Sequence, residues 1–369
     1  QTKTNTKRRG YPGRDALIFC LLLILLPAFF SLPGCNRDNT IKYSDSFTGT
    51  FDTVIQIIAY TDSDTQFQEW VSQAETRFRQ LHKLFDIYHE YEGLNNLFTV
   101  NEMAGIQPVV VDQELIDLLM FFIDMDQSAP GAVNIAFGPV LSIWHDYRTS
   151  ALDGGAVAVP DQELLEAASL LCNLDKVIID TGENTVFLQE AGMQLDVGAI
   201  AKGYATELVA RDLIAAGMTS GIISAGGSNV RLIGKPADER STWQIGLQNP
   251  DSNPLIPDEP PLDVLLVNDQ SIVTSGDYQR YYEVDGVIYH HLIDTKTLQP
   301  ARHFRAVTVM TPDSARADFL STALFLLPID QGLALVNQLG DCEVLWIFPD
   351  NRIEATDGMR AHLKSAQGN

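Results

Sequence analysis

Between residues 177 and 348 the chain is punctuated by short apolar runs, at 177–179, 222–223, 230–233, 264–267, 287–289, 307–310 and 344–348. Each is too short for a helix that buries a face and rich in Val and Ile, so each reads as a strand. Helical patterns sit between only some of them, at 201–216, 315–327 and 330–338. Upstream, residues 51–60 set Val54, Ile55, Ile57 and Ile58 among polar neighbours in a further strand. Phe67, Trp70, Val71, Ala74, Phe78, Leu81 and Phe85 then fall at helical spacing, an aromatic stripe that reads as core, and a second helix covers 113–125. Strands that sometimes follow one another and sometimes alternate with helices predict an α+β fold of mixed β-sheets with packed helices, not a regular doubly wound sheet.

Composition narrows the function. Hydrophobic residues are 45% and charged residues 20% of 369, with no low-complexity tract, which suits a globular body. The formal net charge of −23, from 25 basic against 48 acidic residues, repels phosphate backbones and excludes nucleic acid as a partner.

The first 35 residues are of another kind. Lys3, Lys7, Arg8, Arg9 and Arg14 precede an apolar run at 16–30 that is broken by Pro27 and short for a membrane span, so it reads as a signal-peptide core. It ends in Ser31-Leu32-Pro33-Gly34-Cys35, which resembles a bacterial lipobox and makes Cys35 the lipidated first residue of an exported protein. The predicted organisation is a signal peptide at 1–35, a polar tether at 36–46, one domain at 47–350 and a tail at 351–369. A proline-rich stretch at 250–261 is expected as a surface loop interrupting one sheet, because strand-like sequence flanks it at 243–247 and 264–267. Cys172 and Cys342 sit in no CxxC and no zinc-type cluster, and are expected as buried free thiols.

Four segments can carry chemistry. In Leu195-Asp196-Val197-Gly198-Ala199-Ile200-Ala201-Lys202-Gly203-Tyr204-Ala205 a strand end passing through a glycine turn into a helix offers amides and the Lys202 charge to a diphosphate; a plain strand–turn–helix junction reads the same way. Ser224-Ala225-Gly226-Gly227-Ser228-Asn229 allows close backbone approach to a ligand, or is an ordinary hairpin turn. Thr274-Ser275-Gly276-Asp277-Tyr278 is followed by His290-His291-Leu292-Ile293-Asp294. Adjacent histidines on a strand face opposite ways, so at most one reaches a given site. On a helix, Asp318 and Thr322 share a face one turn apart and can hold a hard cation such as Mg²⁺ through oxygen; alternatively Asp318 starts the helix and Thr322 bonds back to the main chain.

Taken in order, these segments resemble the ApbE family of FAD:protein FMN transferases. The resemblance runs from about Ser46 to Phe348 and also rests on Thr48-Gly49-Thr50-Phe51, Gly138-Pro139-Val140 with Trp144, and Ala317-Asp318 with Ser321-Thr322-Ala323. It implies FAD as flavin donor, contacted by Thr48, Tyr88, Ala132, Val133, Asn134, Asp196, Lys202 and Ile293, with Tyr91 close enough to compete with Tyr88 for its alignment. It implies Mg²⁺ held by the Ala199 carbonyl, Asp318 and Thr322, with Ser321 standing where some members place a further acidic ligand. Val133-Asn134 replaces a usual Phe-Asp, Thr295 a usual proline and Leu298 a usual glycine. The implied reaction moves FMN from FAD to a Thr or Ser hydroxyl of a target flavoprotein, such as a membrane electron-transfer subunit, and releases AMP. His291 is the candidate base and Asp294 the second. Water as acceptor, giving an FAD diphosphatase, and a lipid-anchored flavin-binding protein without turnover are the alternatives.

Overall fold

A computed structural model describes residues 40–252 and 259–367. The leader, Cys20, the lipobox and Cys35 lie outside the described residues. Among those described, no helix is long and apolar enough to cross a membrane.

The chain opens with a hairpin of β1 (Ile41–Thr50) and β2 (Thr53–Thr61), and Ile41 pairs with Thr61. The tether expected at 36–46 is therefore strand from Ile41 onward. It looked polar because β1 is an edge strand that needs only one apolar face, which Tyr43 and Phe47 supply, Tyr43 stacking on Phe67 at 5.3 Å. Ser63 then caps α1 (Asp64–Phe85), accepting from Gln66 N–H at 3.2 Å, and the aromatic stripe foreseen there is buried.

The next elements are α2 (Leu97–Glu102), β3 (Val109–Val110), α3 (Gln113–Asp126), α4 (Gly138–Leu152), α5 (Gln162–Ser169), β4 (Val177–Asp180), β5 (Thr185–Leu188) and α6 (Ala201–Ala215). They are followed by β6 (Gly221–Ala225), β7 (Asn229–Ile233), β8 (Trp243–Leu247), β9 (Asp263–Val267), β10 (Ser271–Gly276), β11 (Tyr281–Val284), β12 (Val287–His290) and β13 (Ala306–Thr311). The chain closes with α7 (Ser314–Leu326), α8 (Ile329–Leu339), β14 (Glu343–Ile347), β15 (Ile353–Ala355) and α9 (Asp357–His362).

The central sheet has eight strands in the order β1-β2-β6-β7-β10-β13-β14-β15. Smaller sheets join β3-β5-β4, β8-β9 and β11-β12, and every pairing among the described strands is antiparallel. The α+β class holds, with the β structure divided among several sheets. Both faces of the central sheet are covered. Val307 and Val309 pack with α1, α6 and α7, while Ala306 and Met310 pack with Trp243, Val267 and Met359 on the other side. That is why β13 is an unbroken buried run. The stretch expected as a loop at 250–261 falls between β8 and β9, whose strands pair from Trp243–Val267 to Leu247–Asp263; its residues 253–258 lie outside the described residues. Arg305 holds its near end through the Pro250 carbonyl at 3.1 Å.

The tail expected at 351–369 is folded as far as Gln367: β15 pairs with β14, Thr356 caps α9, and Met359 is fully buried. These elements are too short to show periodicity. Cys172 and Cys342 are free, the second buried.

Candidate active site

Two packed helices build one wall. α6 and α7 meet at Gly203, where an added Cβ would lie 2.4 Å from both the Asp318 Cβ and the Ser314 carbonyl oxygen. Only glycine permits that approach. Asp318 is 6% exposed; its Oδ2 accepts from the Gly203 N–H at 2.7 Å and its Oδ1 meets Lys202 Nζ at 3.3 Å. The Gly203 amide thus serves Asp318 instead of returning to Ala199 four residues back. The Ala199 carbonyl is left without a backbone donor among the described residues. Helix α7 starts at Ser314 with Asp313 as its cap, accepting from Arg316 N–H at 3.0 Å, so Asp318 lies a full turn inside and is not the helix start. Thr322 follows on the same face, partly buried.

Carboxylate, carbonyl and hydroxyl oxygens form a hard-cation donor set, and the buried Asp318 charge is already met by one cation, Lys202. These residues fit Mg²⁺. Among the described residues no group of three or more His, Cys, Asp or Glu is placed to hold a metal. Ser321 stands apart from it. Its buried hydroxyl pairs with Ser275 Oγ at 2.9 Å and donates to the Asp318 main-chain carbonyl at 3.0 Å, because position 321 faces β10.

The segment before α6 departs from expectation twice. No strand leads into it; Leu195 instead exchanges both main-chain bonds with the Asn101 side chain, at 2.7 and 3.0 Å, so one amide stands in for a neighbouring strand. The helix start is also less open to an anion than the glycine turn suggests. The amides of Gly198, Ala201 and Gly203 are taken by Asp196, Val197 and Asp318.

The candidate base lies beside the β11–β12 hairpin, which packs on α4. His290 and His291 do face opposite ways. His290 is buried, donates from Nε2 to the Ala301 carbonyl (2.8 Å), accepts at Nδ1 from Leu292 N–H (3.2 Å) and lies edge-on to Phe325. His291 is only partly buried, its N–H donating to the Arg280 carbonyl at 3.1 Å. Desolvation first, then Arg280, His290 and Arg148, hold the His291 pKa well below its ordinary value, so the ring is neutral at neutral pH and a weaker base than a free imidazole. Burial raises the Asp196 pKa against the Gly198 hydrogen bond and the nearby His145 and Arg280.

Tyr88 and Tyr91 are told apart here. Tyr91 donates its hydroxyl to Asp86 at 2.7 Å, whereas Tyr88 leaves 53% of its surface open and sets its ring 5.4 Å from His145. Desolvation of its hydroxyl, with the Asp196 charge, pushes the Tyr88 pKa up to about 12. Thr48 is exposed on β1.

The remaining residues implied by the resemblance serve the frame with their side chains. Ala132 and Val133 are buried. Asn134 caps the short helical turn at Ile135–Phe137, accepting from Ala136 N–H and donating to the Cys172 carbonyl, both at 2.8 Å. Ile293 is buried beside Leu298, where Trp144 donates to the Leu298 carbonyl at 3.0 Å. The Asp294 carboxylate accepts from the Lys296 and Thr297 amides at 2.7 and 2.9 Å, so it shapes a turn and is poorly placed as a second base. Thr295 ties that turn to the Gly131 carbonyl at 2.8 Å. Gly203, His145, Arg148 and Arg280 were not singled out from the sequence. A glycine in a helix interior behind Lys202 was the only available signal among them.

Fold and site define an α+β protein with a hard-oxygen cation seat where α6 meets α7 and a neutral histidine just beyond the β11–β12 hairpin. The ApbE family profile matches residues 51–346, and the chain belongs to that family. It is 36% identical over 275 residues to the FAD:protein FMN transferase of Treponema pallidum (strain Nichols), covering 71% of this chain and 73% of that one. To the enzyme of the same name from Klebsiella pneumoniae (strain 342) it is 32% identical over 281 residues, covering 73% and 83%. Among solved structures, the ApbE protein of Thermotoga maritima superposes with a TM-score of 0.75 at 24% identity, over 87% of this chain and 99% of that one. The flavin transferase ApbE of Vibrio cholerae does so with 0.72 at 22%, over 88% and 100%.

Proposed function

We propose that this protein transfers the FMN half of FAD to a Thr or Ser hydroxyl of an acceptor flavoprotein and releases AMP. The observation that carries this is the meeting of Asp318 with Gly203 and Lys202, which sets a buried carboxylate and an ammonium beside an open carbonyl. A diphosphate needs such a seat for its charge. Asp318, Thr322 and the Ala199 carbonyl would hold Mg²⁺, which when bound neutralises diphosphate charge. Lys202 adds a cation at the same place. His291, kept neutral, takes the proton of the acceptor hydroxyl as its oxygen forms the new bond to the FMN-side phosphorus. The bond from that phosphorus to the AMP oxygen breaks, and AMP departs with the electron pair.

The test is incubation of the protein with FAD, Mg²⁺ and a candidate acceptor. The expected result is an acceptor mass gain equal to FMN, with stoichiometric AMP. AMP without acceptor gain would replace the transferase with a diphosphatase, and neither product would leave only binding.

The leader supports export and lipid anchoring at Cys35, and so an acceptor on the same side of the membrane, such as an electron-transfer subunit. Mass spectrometry of the mature N-terminus should find acylated Cys35, and Cys35→Ala should move the protein out of the membrane fraction. An unmodified Cys35 would remove the anchor from this proposal.

A further inference from the structure

The Asp318 carboxylate has one oxygen free to give, and a cation already sits on it. Its Oδ2 is fixed by the Gly203 amide at 2.7 Å, and its Oδ1 meets Lys202 Nζ at 3.3 Å. The Lys202 and Asp318 side chains are 20% and 9% exposed, and no other carboxylate pairs with Lys202 among the described residues. A buried carboxylate stripped of its partner is strongly destabilising, so Lys202 is the counter-ion that lets Asp318 stand where it does.

The same oxygen is the one that the cation seat needs. A hard divalent ion such as Mg²⁺ bonds oxygen at about 2.0–2.1 Å, and an ammonium cannot keep its place on Oδ1 beside a double positive charge in a site so shielded from water. Asp318 has no room to turn away. The Gly203 amide holds it, and α6 passes so close that a Cβ at Gly203 would lie 2.4 Å from the Asp318 Cβ. Thr322 and the Ala199 carbonyl are neutral donors and bring no charge of their own. Lys202, on a flexible four-carbon stem, is the part that moves.

We propose that Lys202 is a built-in counter-ion that keeps divalent metal out of the seat until FAD is present, and then exchanges Asp318 for the diphosphate. This rests on the flavin-transferase proposal and concerns the order in which its ligands load. With metal alone, the Lys202–Asp318 pair must break and leave an ammonium without a partner. With a diphosphate present, that ammonium gains a new anion, so metal and FAD favour each other, by the same factor in both directions. The protein binds little metal on its own and takes metal and flavin donor together.

Mn²⁺, a paramagnetic ion with the same preference for oxygen, reads the seat directly. Electron paramagnetic resonance titration of the full-length protein in detergent counts bound Mn²⁺, and the part lost in Asp318→Asn is the part held at the seat. Without FAD, Lys202→Met should bind Mn²⁺ there about tenfold or more tighter than wild type, by the strength of a charge-assisted bond that no longer competes. Lys202→Arg, which keeps the charge, should stay near the wild-type value. Adding FAD should tighten Mn²⁺ binding in wild type, and by a smaller factor in Lys202→Met. In melting curves, Mn²⁺ alone should stabilise Lys202→Met more than wild type. A wild type that binds Mn²⁺ at the seat equally with and without FAD overturns the inference without any variant. Equal Mn²⁺ affinity of wild type and folded Lys202→Met in the absence of FAD does so too, and leaves FMN transfer untouched. If the wild type binds FAD at no Mn²⁺ concentration, the inference falls together with the transferase proposal.

Discussion

A single methyl group at position 203 is the most economical probe of the cation seat. With Asp318 and the Ser314 carbonyl each 2.4 Å from where it would sit, Gly203→Ala must push α6 from α7. Overpacking of this kind costs about 1–3 kcal/mol, so melting should fall modestly while FMN transfer is lost. Asp318→Ala should retain the fold and abolish Mg²⁺-dependent transfer. His291→Ala should keep FAD binding and slow turnover by about 10²–10⁴, the usual contribution of a general base; an unchanged single-turnover rate would remove it from the mechanism. His290 gives a pH prediction. Burial, and to a lesser degree Arg302, lowers its pKa from 6.5 to about 4. Between those values the unfolded chain binds a proton that the folded chain refuses. The stability His290 contributes is therefore complete above pH 6.5 and lost as pH falls toward about 4. Urea melts across that window should show a shallower pH slope for His290→Gln than for wild type. Residue placement was legible where it is local: Asp318 and the opposed histidines follow from helix and strand periods, and Lys202 from a glycine turn opening a helix. Gly203 matters through Asp318, more than a hundred residues away, which no spacing reveals.

At the scale of elements, the start of α7 is clamped by a buried carboxylate. Glu207 on α6 accepts from Ser314 N–H at 3.0 Å and from Arg231 on β7 at 3.3 Å, while Arg211 takes its other oxygen at 3.0 Å. Arg231 and Glu207 side chains are 9% and 8% exposed. Glu207→Ala would leave the Arg231 charge buried without this partner, a change that costs about 3–5 kcal/mol. Chemical denaturation should register that loss, and the Mg²⁺ concentration for half-maximal transfer should rise as Asp318 shifts with its helix. Element type was readable for α1, α3, α6 and α7, whose apolar positions recur at helical spacing. It was not readable for β1, whose outer face is polar, nor for the coil before α6, where Asn101 replaces a strand.

For the whole molecule, the sequence pattern foretold the α+β class from short apolar runs such as β13, buried along its whole length, and the interrupted β8–β9 pair from strand-like sequence on both sides of a proline-rich stretch. The strand order could not be read, since it depends on pairings between segments far apart in the chain. Cys172 and Cys342 are unpaired, and burial pushes both thiols up to about 11. Reductant should therefore leave the melting temperature unchanged, and both thiols should react slowly with disulfide reagents until the protein unfolds; a reductant-sensitive melt would contradict this. The β11–β12 hairpin, where Tyr281 lies opposite His290, carries an implication of its own. Because the two imidazoles are neighbours in sequence, one inserted residue in the Asp285-Gly286 bend could exchange the inward ring for the outward one. The hairpin register therefore decides which imidazole is buried, and an insertion there should cost both the His290 packing and, on the transferase proposal, the base.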